Sequence, residues 1–187
     1  MRLTRYFMYK RIGQALPNPP FIVGKILGIN EIDNFNFLID KNKSEIIITH
    51  YPKVDIQNLA YEENSFDFVI SDQVLEHVEN PLKAIAESRR VLKQGGIAIH
   101  TTCFISYFHP SPKDYWRFSP DALRFLCRDF SEIIQCEGWG NMMATMISLL
   151  GDRFRGVSIS EKMSLRRWLA TANYERYPIV TWIIARK

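Results

Sequence analysis

The apolar and polar positions of this chain are most sharply patterned between Val54 and Phe104. Phe66-Asp67-Phe68-Val69-Ile70-Ser71 is a short run rich in apolar and β-branched residues, of the kind that forms a strand buried on both faces. Asn80 offers a side-chain oxygen as a helix N-cap. Pro81 suits the first helical position, where its missing N–H has no partner to lose. In the helix that follows, Leu82, Ile85, Ala86 and Leu92 fall on one side, Lys93 sits in the last turn, and Gly95-Gly96 supplies a left-handed stop. A second strand, Ile97 to Thr101, comes directly after. Strand, acidic loop, helix and strand make one βαβ unit, which predicts a parallel sheet covered by helices. Ligands of such sheets bind at the carboxyl ends of the strands.

The flanking pattern extends this plan. Tyr6, Phe7, Met8 and Ile12 interleave with Arg2, Arg5, Lys10 and Arg11, which predicts an amphipathic N-terminal helix covering the sheet or a partner. Leu16 to Pro20 ends that helix. Phe21 to Ile29 reads as the first strand. Asn30 can cap a short helix through Ile39, with Ile32, Phe35 and Ile39 sharing a face, and Ile46-Ile47-Ile48 is the next strand. Ser119-Pro120 opens a helix in which Leu123, Leu126, Cys127 and Phe130 recur at helical spacing. Ile133–Cys136 reads as a strand and Met142–Leu150 as a buried helix. Arg153–Leu165 reads mostly as loop, and Pro178–Lys187 as a C-terminal strand.

Four segments carry a resemblance. They are Asp55-Ile56-Gln57-Asn58-Leu59-Ala60-Tyr61, Ser65-Phe66-Asp67-Phe68-Val69, Leu75-Glu76-His77 and Arg90-Val91-Leu92-Lys93-Gln94-Gly95-Gly96. In this order and register the chain resembles class I S-adenosylmethionine-dependent methyltransferases, especially the small-molecule group similar to the quinone-biosynthesis methylases. The resemblance implies an α/β, Rossmann-like, mostly parallel sheet with helices on both faces and a C-terminal antiparallel hairpin. Residues 1–187 are expected to form one such domain. The hairpin would come from Ile133–Cys136 and Ile179–Ala185. S-adenosylmethionine is the implied cofactor.

The family pattern then places the site. Asp55 at a strand end could accept from an adenine amino group, with the Ile56 N–H donating to a ring nitrogen. The other reading of Asp55 is a turn aspartate bonded to its own backbone. Ser71, Asp72 and Gln73 follow the central strand, where the family's cofactor lies, and Asp72 could alternatively help cap the next turn. The family's Gly-rich turn after the first strand is abbreviated to Lys25-Ile26-Leu27-Gly28-Ile29-Asn30-Glu31, with one glycine. Gly28 and Asn30 are the candidates for cofactor contact there. The second strand ends at Thr49-His50-Tyr51 without the carboxylate the family uses for the ribose. Three residues before Asp55 are too few for the usual second crossover helix. A non-catalytic interaction protein that keeps the fold and has lost the cofactor is therefore a second reading.

The segment from Cys103 to Phe118 leaves the end of a central strand and carries His109, Asp114, Tyr115, Trp116 and Arg117 among prolines. Similar sequences in the family have a Pro-x-Asp-Tyr/Phe-Trp-Arg-Phe-Thr-Pro stretch here. An aromatic, restrained loop over a strand terminus can wall a substrate pocket. His109 with Asp114 is the candidate base and orienting carboxylate. Phe104, Tyr115 and Arg117 are candidate substrate contacts, while Trp116 and Phe118 anchor the loop. His77 reads as a packing or hydrogen-bonding residue, and His100 as a satisfied core or sheet-edge histidine. Asp67 reads as structural.

Composition narrows the partners. The 187 residues are 47% hydrophobic, and three widely spaced cysteines without a Cys-x-x-Cys pair suit a reducing cytosol rather than a disulfide framework or zinc site. The histidines and acids do not fall at metal-ligand spacings, so no metal is expected. The net charge of +4 comes with separated basic clusters, at the N-terminus and at Arg166-Arg167, rather than a continuous stripe. Nucleic acid is disfavoured accordingly. The expected substrate is a small molecule or glycan precursor, with a homo-oligomer or partner subunit left open. No apolar run reaches the roughly 20 residues of a membrane span.

Overall fold

The computed structural model of the chain describes residues 3–16, 22–149 and 171–187. Residues 17–20 of the proline-rich linker, Phe21, Leu150, the Arg153–Leu165 segment and the Arg166-Arg167 pair lie outside the described residues. Six strands form one sheet in the order β2-β1-β3-β4-β6-β5. They are β1 (Ile22–Ile29), β2 (Ile39–Thr49), β3 (Phe66–Asp72), β4 (Leu92–Cys103), β5 (Glu132–Trp139) and β6 (Val180–Arg186). The first four are mutually parallel, and β6 runs antiparallel to both β4 and β5. This is the Rossmann-like sheet with a C-terminal antiparallel pair that the sequence predicts. The pair is not a tight hairpin, because some forty residues, including helix α4 (Met142–Leu149), separate its strands.

Alternation along the strands sorts the core into two layers. Leu27, Ile29, Val69, Ala98, Ile183 and Ala185 face one side, with helices α2 (Pro81–Val91) and α3 (Pro120–Leu126) over them. Ile22, Ile26, Ile70, Ile99, Trp182 and Ile184 face the other. Helix α1 (Leu3–Ala15) covers that second face through Met8, Tyr9 and Ile12, all fully buried. Its outer side is fixed by Arg11, paired with Glu137 at 2.8 Å, and by Phe7, stacked on Trp139 with ring centroids 4.9 Å apart. The N-terminal helix thus covers the sheet, and its basic residues are spent partly on intramolecular pairs.

The caps of α2 and α3 stand as read. Asn80 accepts from the Lys83 N–H at 3.1 Å and Ser119 from the Ala122 N–H at 3.2 Å, each followed by proline at the start of the helix. Other details differ. The buried stripe of α2 is Ala84, Ile85, Ser88 and Val91, whereas Leu82 and Ala86 face solvent. Ser88 can be buried because its hydroxyl donates to the Ala84 carbonyl at 2.9 Å. The helix stops at Val91, before Lys93 and the glycines. Gly95, at φ +76°, belongs to a register shift between β3 and β4, and Lys93 reaches sideways to Asp67 at 2.9 Å. Asp67 also accepts from the Lys25 N–H at 2.8 Å, so it ties three strands together.

The expected helix from Asn30 to Ile39 is a single 3-10 turn, Asp33–Phe35, and Ile39 already opens β2. Asn30 cannot cap it, since its backbone is left-handed (φ 64°) rather than in the extended conformation an N-cap needs. Ile32, Phe35 and Ile39 are nonetheless buried in the layer beneath α1. The polar Asp40–Ser44 stretch hid the first half of β2 from a hydrophobicity reading. An edge strand carries such charges because one side meets only water. Helix α4 was expected to be buried; among its described side chains Thr145 is, whereas Met142, Met143 and Met146 are exposed.

Candidate active site

The carboxyl ends of β1, β3 and β4 meet at a polar network centred on Asp72. Its Oδ2 accepts from the Tyr9 hydroxyl at 2.7 Å and from Asn34 Nδ2 at 3.0 Å, and its Oδ1 accepts from the Thr101 hydroxyl at 2.5 Å. Burial and the adjoining carboxylate push the Tyr9 phenol well above its ordinary range, so it remains a donor. Gln73 follows with a left-handed backbone (φ 57°). Its N–H donates to the Thr101 carbonyl at 3.0 Å, and its Oε1 accepts from Arg5 at 3.1 Å. Ser71 is fully buried and bonded to His100 Nδ1 at 2.7 Å. His100 is a core residue of central strand β4, half satisfied rather than satisfied: its Nε2 has no partner, and burial lowers its pKa to about 4.

Around the first strand, Asn30 turns the chain where the family uses glycine. Its N–H donates to the Thr49 carbonyl at 2.7 Å and its side chain faces His50 Nδ1 at 3.4 Å. Gly28 is needed for packing: a Cβ there would lie 2.6 Å from Ile48 Cδ1 and 3.0 Å from Ile32 Cδ1. The space before it is filled by the chain's own side chains. Asp55 forms the turn hydrogen bond that was the alternative reading. It accepts from the Gln57 N–H at 2.9 Å, and both of its oxygens accept from Gln57 Nε2. Ile56 is buried in the layer under α2. Arg90 holds this segment in place by donating to the Leu59 and Tyr61 carbonyls at 2.8 Å each.

The loop after β4 folds back over the turn that follows β3. The Tyr115 and Trp116 N–H groups both donate to the Glu76 carbonyl, at 2.8 and 3.2 Å, and Trp116 Nε1 donates to the Val78 carbonyl at 2.8 Å. Phe104 ties the loop's start to the Ile179 carbonyl at 3.0 Å. Asp114 and Arg117 make a two-pronged pair at 2.5 and 2.7 Å. Arg117 further donates to the Tyr107 and Trp116 carbonyls. The guanidinium holds the Asp114 carboxyl well below the usual carboxylate range. His109 donates its backbone N–H to Asp114 at 2.7 Å, while its ring Nδ1 lies 2.9 Å from the Tyr107 carbonyl and 3.5 Å from Asp114 Oδ2. His109 and Asp114 are therefore together, with the carboxylate engaged mainly by Arg117. Phe118 is buried, whereas Tyr115 and Trp116 are both exposed, Trp116 with its indole N–H bonded.

Two features escaped the sequence reading. His77 stacks edge-on against His109 with centroids 5.1 Å apart, although 32 positions separate them. Glu76 is fully buried beside them, its Oε2 accepting from the Thr102 hydroxyl at 2.8 Å. Burial raises its pKa. An acid directly before a histidine in Leu75-Glu76-His77 was the available signal, masked by its place in a family motif.

Residues 25–100 match the family model described as a methyltransferase domain. A solved S-adenosylmethionine-dependent methyltransferase from Aquifex aeolicus superposes with TM-score 0.56 at 9% identity, covering 94% of this chain and 87% of that one. Residues 25–100 thus resemble a methyltransferase domain, within a chain that has the fold of S-adenosylmethionine-dependent methyltransferases of known structure. An uncharacterised protein of Methanocaldococcus jannaschii is 32% identical over 93 residues, which is 48% of this chain and 45% of that protein. The demethylmenaquinone methyltransferase of Staphylococcus haemolyticus is 32% identical over 76 residues, 41% of this chain and 32% of that enzyme. The chain thus spans less than half the length of these curated relatives. Among the described residues of the methyltransferase-fold chain, no helix is long and apolar enough to cross a membrane.

Proposed function

We propose that this chain transfers a methyl group from S-adenosylmethionine to a hydroxyl or amine of a small molecule or glycan precursor. The match of residues 25–100 to the methyltransferase domain carries the reading. The restrained aromatic loop over the end of β4, where ligands of this architecture bind, supports it. The cofactor supplies an already activated methyl, so the protein's work is placement and proton removal. Asp55, the Ile56 backbone and Gln73 are the groups that would hold the cofactor. The β1 end offers less, because Ile32 and Ile48 occupy the space before Gly28. His109 would accept the acceptor's proton at Nε2, because its Nδ1 faces the Tyr107 carbonyl. Asp114, clamped by Arg117, would hold the His109 backbone, and Phe104 and Tyr115 would line the acceptor's side.

A second reading is favoured by that same filled space and by the missing carboxylate after β2: a methyltransferase fold kept as an interaction module, without cofactor. Calorimetric titration with S-adenosylmethionine and S-adenosylhomocysteine separates the two. The enzyme reading expects binding that Asp55→Ala weakens by about 1–3 kcal/mol, the cost of an unpaired buried polar partner. It expects His109→Ala to spare cofactor affinity and slow turnover about 10²–10⁴-fold. Absence of heat with either ligand, from protein whose fold is verified, would establish the second reading.

A further inference from the structure

We propose that Glu76, His77 and His109 form a binding site for a divalent transition-metal ion, zinc being the ion their donor set fits best. One ligand atom from each of the three residues lies within 4.8 Å of the others. Glu76 Oε1 is buried and has no hydrogen-bond partner, while Oε2 is held by Thr102. A buried carboxylate oxygen without a donor is costly, and a cation is what would satisfy it. Each imidazole has its Nδ1 beside a main-chain carbonyl. His77 Nδ1 lies 2.5 Å from the Lys113 carbonyl and His109 Nδ1 lies 2.9 Å from the Tyr107 carbonyl. A ring that donates Nδ1–H to a main-chain carbonyl keeps its lone pair on Nε2, and such outer-shell bonds fix tautomer and ring plane in metal centres.

The donor set selects the ion. Two imidazoles and one carboxylate suit zinc and its first-row neighbours rather than magnesium or calcium, which prefer oxygen. Three protein ligands leave a fourth position open, as in zinc sites that bind a substrate oxygen or a water. Zinc bonds of about 2.0–2.2 Å bring ligand atoms closer together than 4.8 Å. Binding therefore draws His109 toward the turn that carries Glu76 and His77. A His109 that holds metal through Nε2 is not at that moment a base, and the ion would then acidify a bound hydroxyl in its place. Metal binding itself does not depend on the methyl-transfer reading.

The test uses the full chain, stripped with a chelator, titrated with Zn2+ by calorimetry and with Co2+ by its visible absorption. One ion per chain is expected. His109→Asn, on the loop, should weaken binding more than the roughly 10–100-fold that outer-shell changes cost. Glu76→Gln should do the same if it folds, and His50→Gln, at a remote exposed histidine, should leave affinity unchanged. The Co2+ spectrum should indicate mixed nitrogen and oxygen ligation and vanish in His77→Asn. Stripped wild-type protein that takes up no zinc at the highest soluble concentration overturns the site. Equal affinity in wild type and His109→Asn overturns it as well. Neither result bears on cofactor binding, which is measured without metal.

Discussion

At the scale of single residues, burial decides which titratable groups matter. His100 is enclosed in β4 with one nitrogen bonded to Ser71 and the other unpartnered, so its cationic form is disfavoured in the folded protein. Its pKa falls to about 4 from the ordinary 6.5. Between those values the unfolded chain binds a proton that the folded chain does not. Stability contributed by this residue is therefore whole above about pH 6.5 and declines as pH falls toward 4. The decline approaches about 3 kcal/mol, counting roughly 1.4 kcal/mol per pKa unit. Urea denaturation from pH 7 to 4.5 should show this slope, and His100→Gln should flatten it whatever its effect at pH 7. An unchanged slope in the variant would show that other groups cause the acid sensitivity. Cys127 and Cys136 lie at the other extreme. Burial raises both thiols, to about 12 and about 11, which leaves them protonated and unreactive at neutral pH.

At the scale of elements, helix α1 is held to the sheet by one buried bond as much as by its apolar stripe. Tyr9→Phe removes the hydroxyl that donates to Asp72 and leaves a buried carboxylate oxygen with one donor fewer. A loss of about 1–3 kcal/mol is expected. Hydrogen exchange should quicken in residues 5–15 more than in β6; uniform quickening throughout would show that α1 is not a separately loosened unit. Much at this scale was legible beforehand. Asn80-Pro81 and Ser119-Pro120 announced two helix starts because a cap is a local bond between near neighbours. The β3–α2–β4 unit was legible for the same reason. Tyr9 was not, because its partner lies 63 positions away. His109 was found as a loop residue, but its stacking on His77 and nearness to Glu76 depend on how the Cys103–Phe118 loop folds back. That path is set by two N–H groups converging on the Glu76 carbonyl, which no spacing reveals. The first half of β2 was missed because an edge strand can be polar. The exposure of Met142, Met143 and Met146 was not legible because an apolar run alone does not say which of its side chains a neighbouring layer covers.

At the scale of the whole molecule, the position of β6 has a consequence for how the chain is made. β5 pairs with β6 and not with β4, and β6 fills the gap between them. Four parallel strands can assemble as soon as residue 103 is available, yet β5 has no partner until residues 180–186 arrive. During synthesis from the N-terminus, the β4 edge stays uncovered while the next 75 or so residues are added, at about 5–20 residues per second. An open apolar edge invites pairing with other chains. Ribosome-bound chains halted before Val180 should therefore be cut readily by protease within β5 and recruit chaperones. Chains long enough to free Arg186 should resist cleavage abruptly rather than by degrees; a gradual rise in resistance would count against β6 as the closing element. Substitutions in β6 would then lower the yield of folded protein in the cell more than their effect on the finished domain suggests, since they prolong the interval in which a growing chain can meet its neighbours.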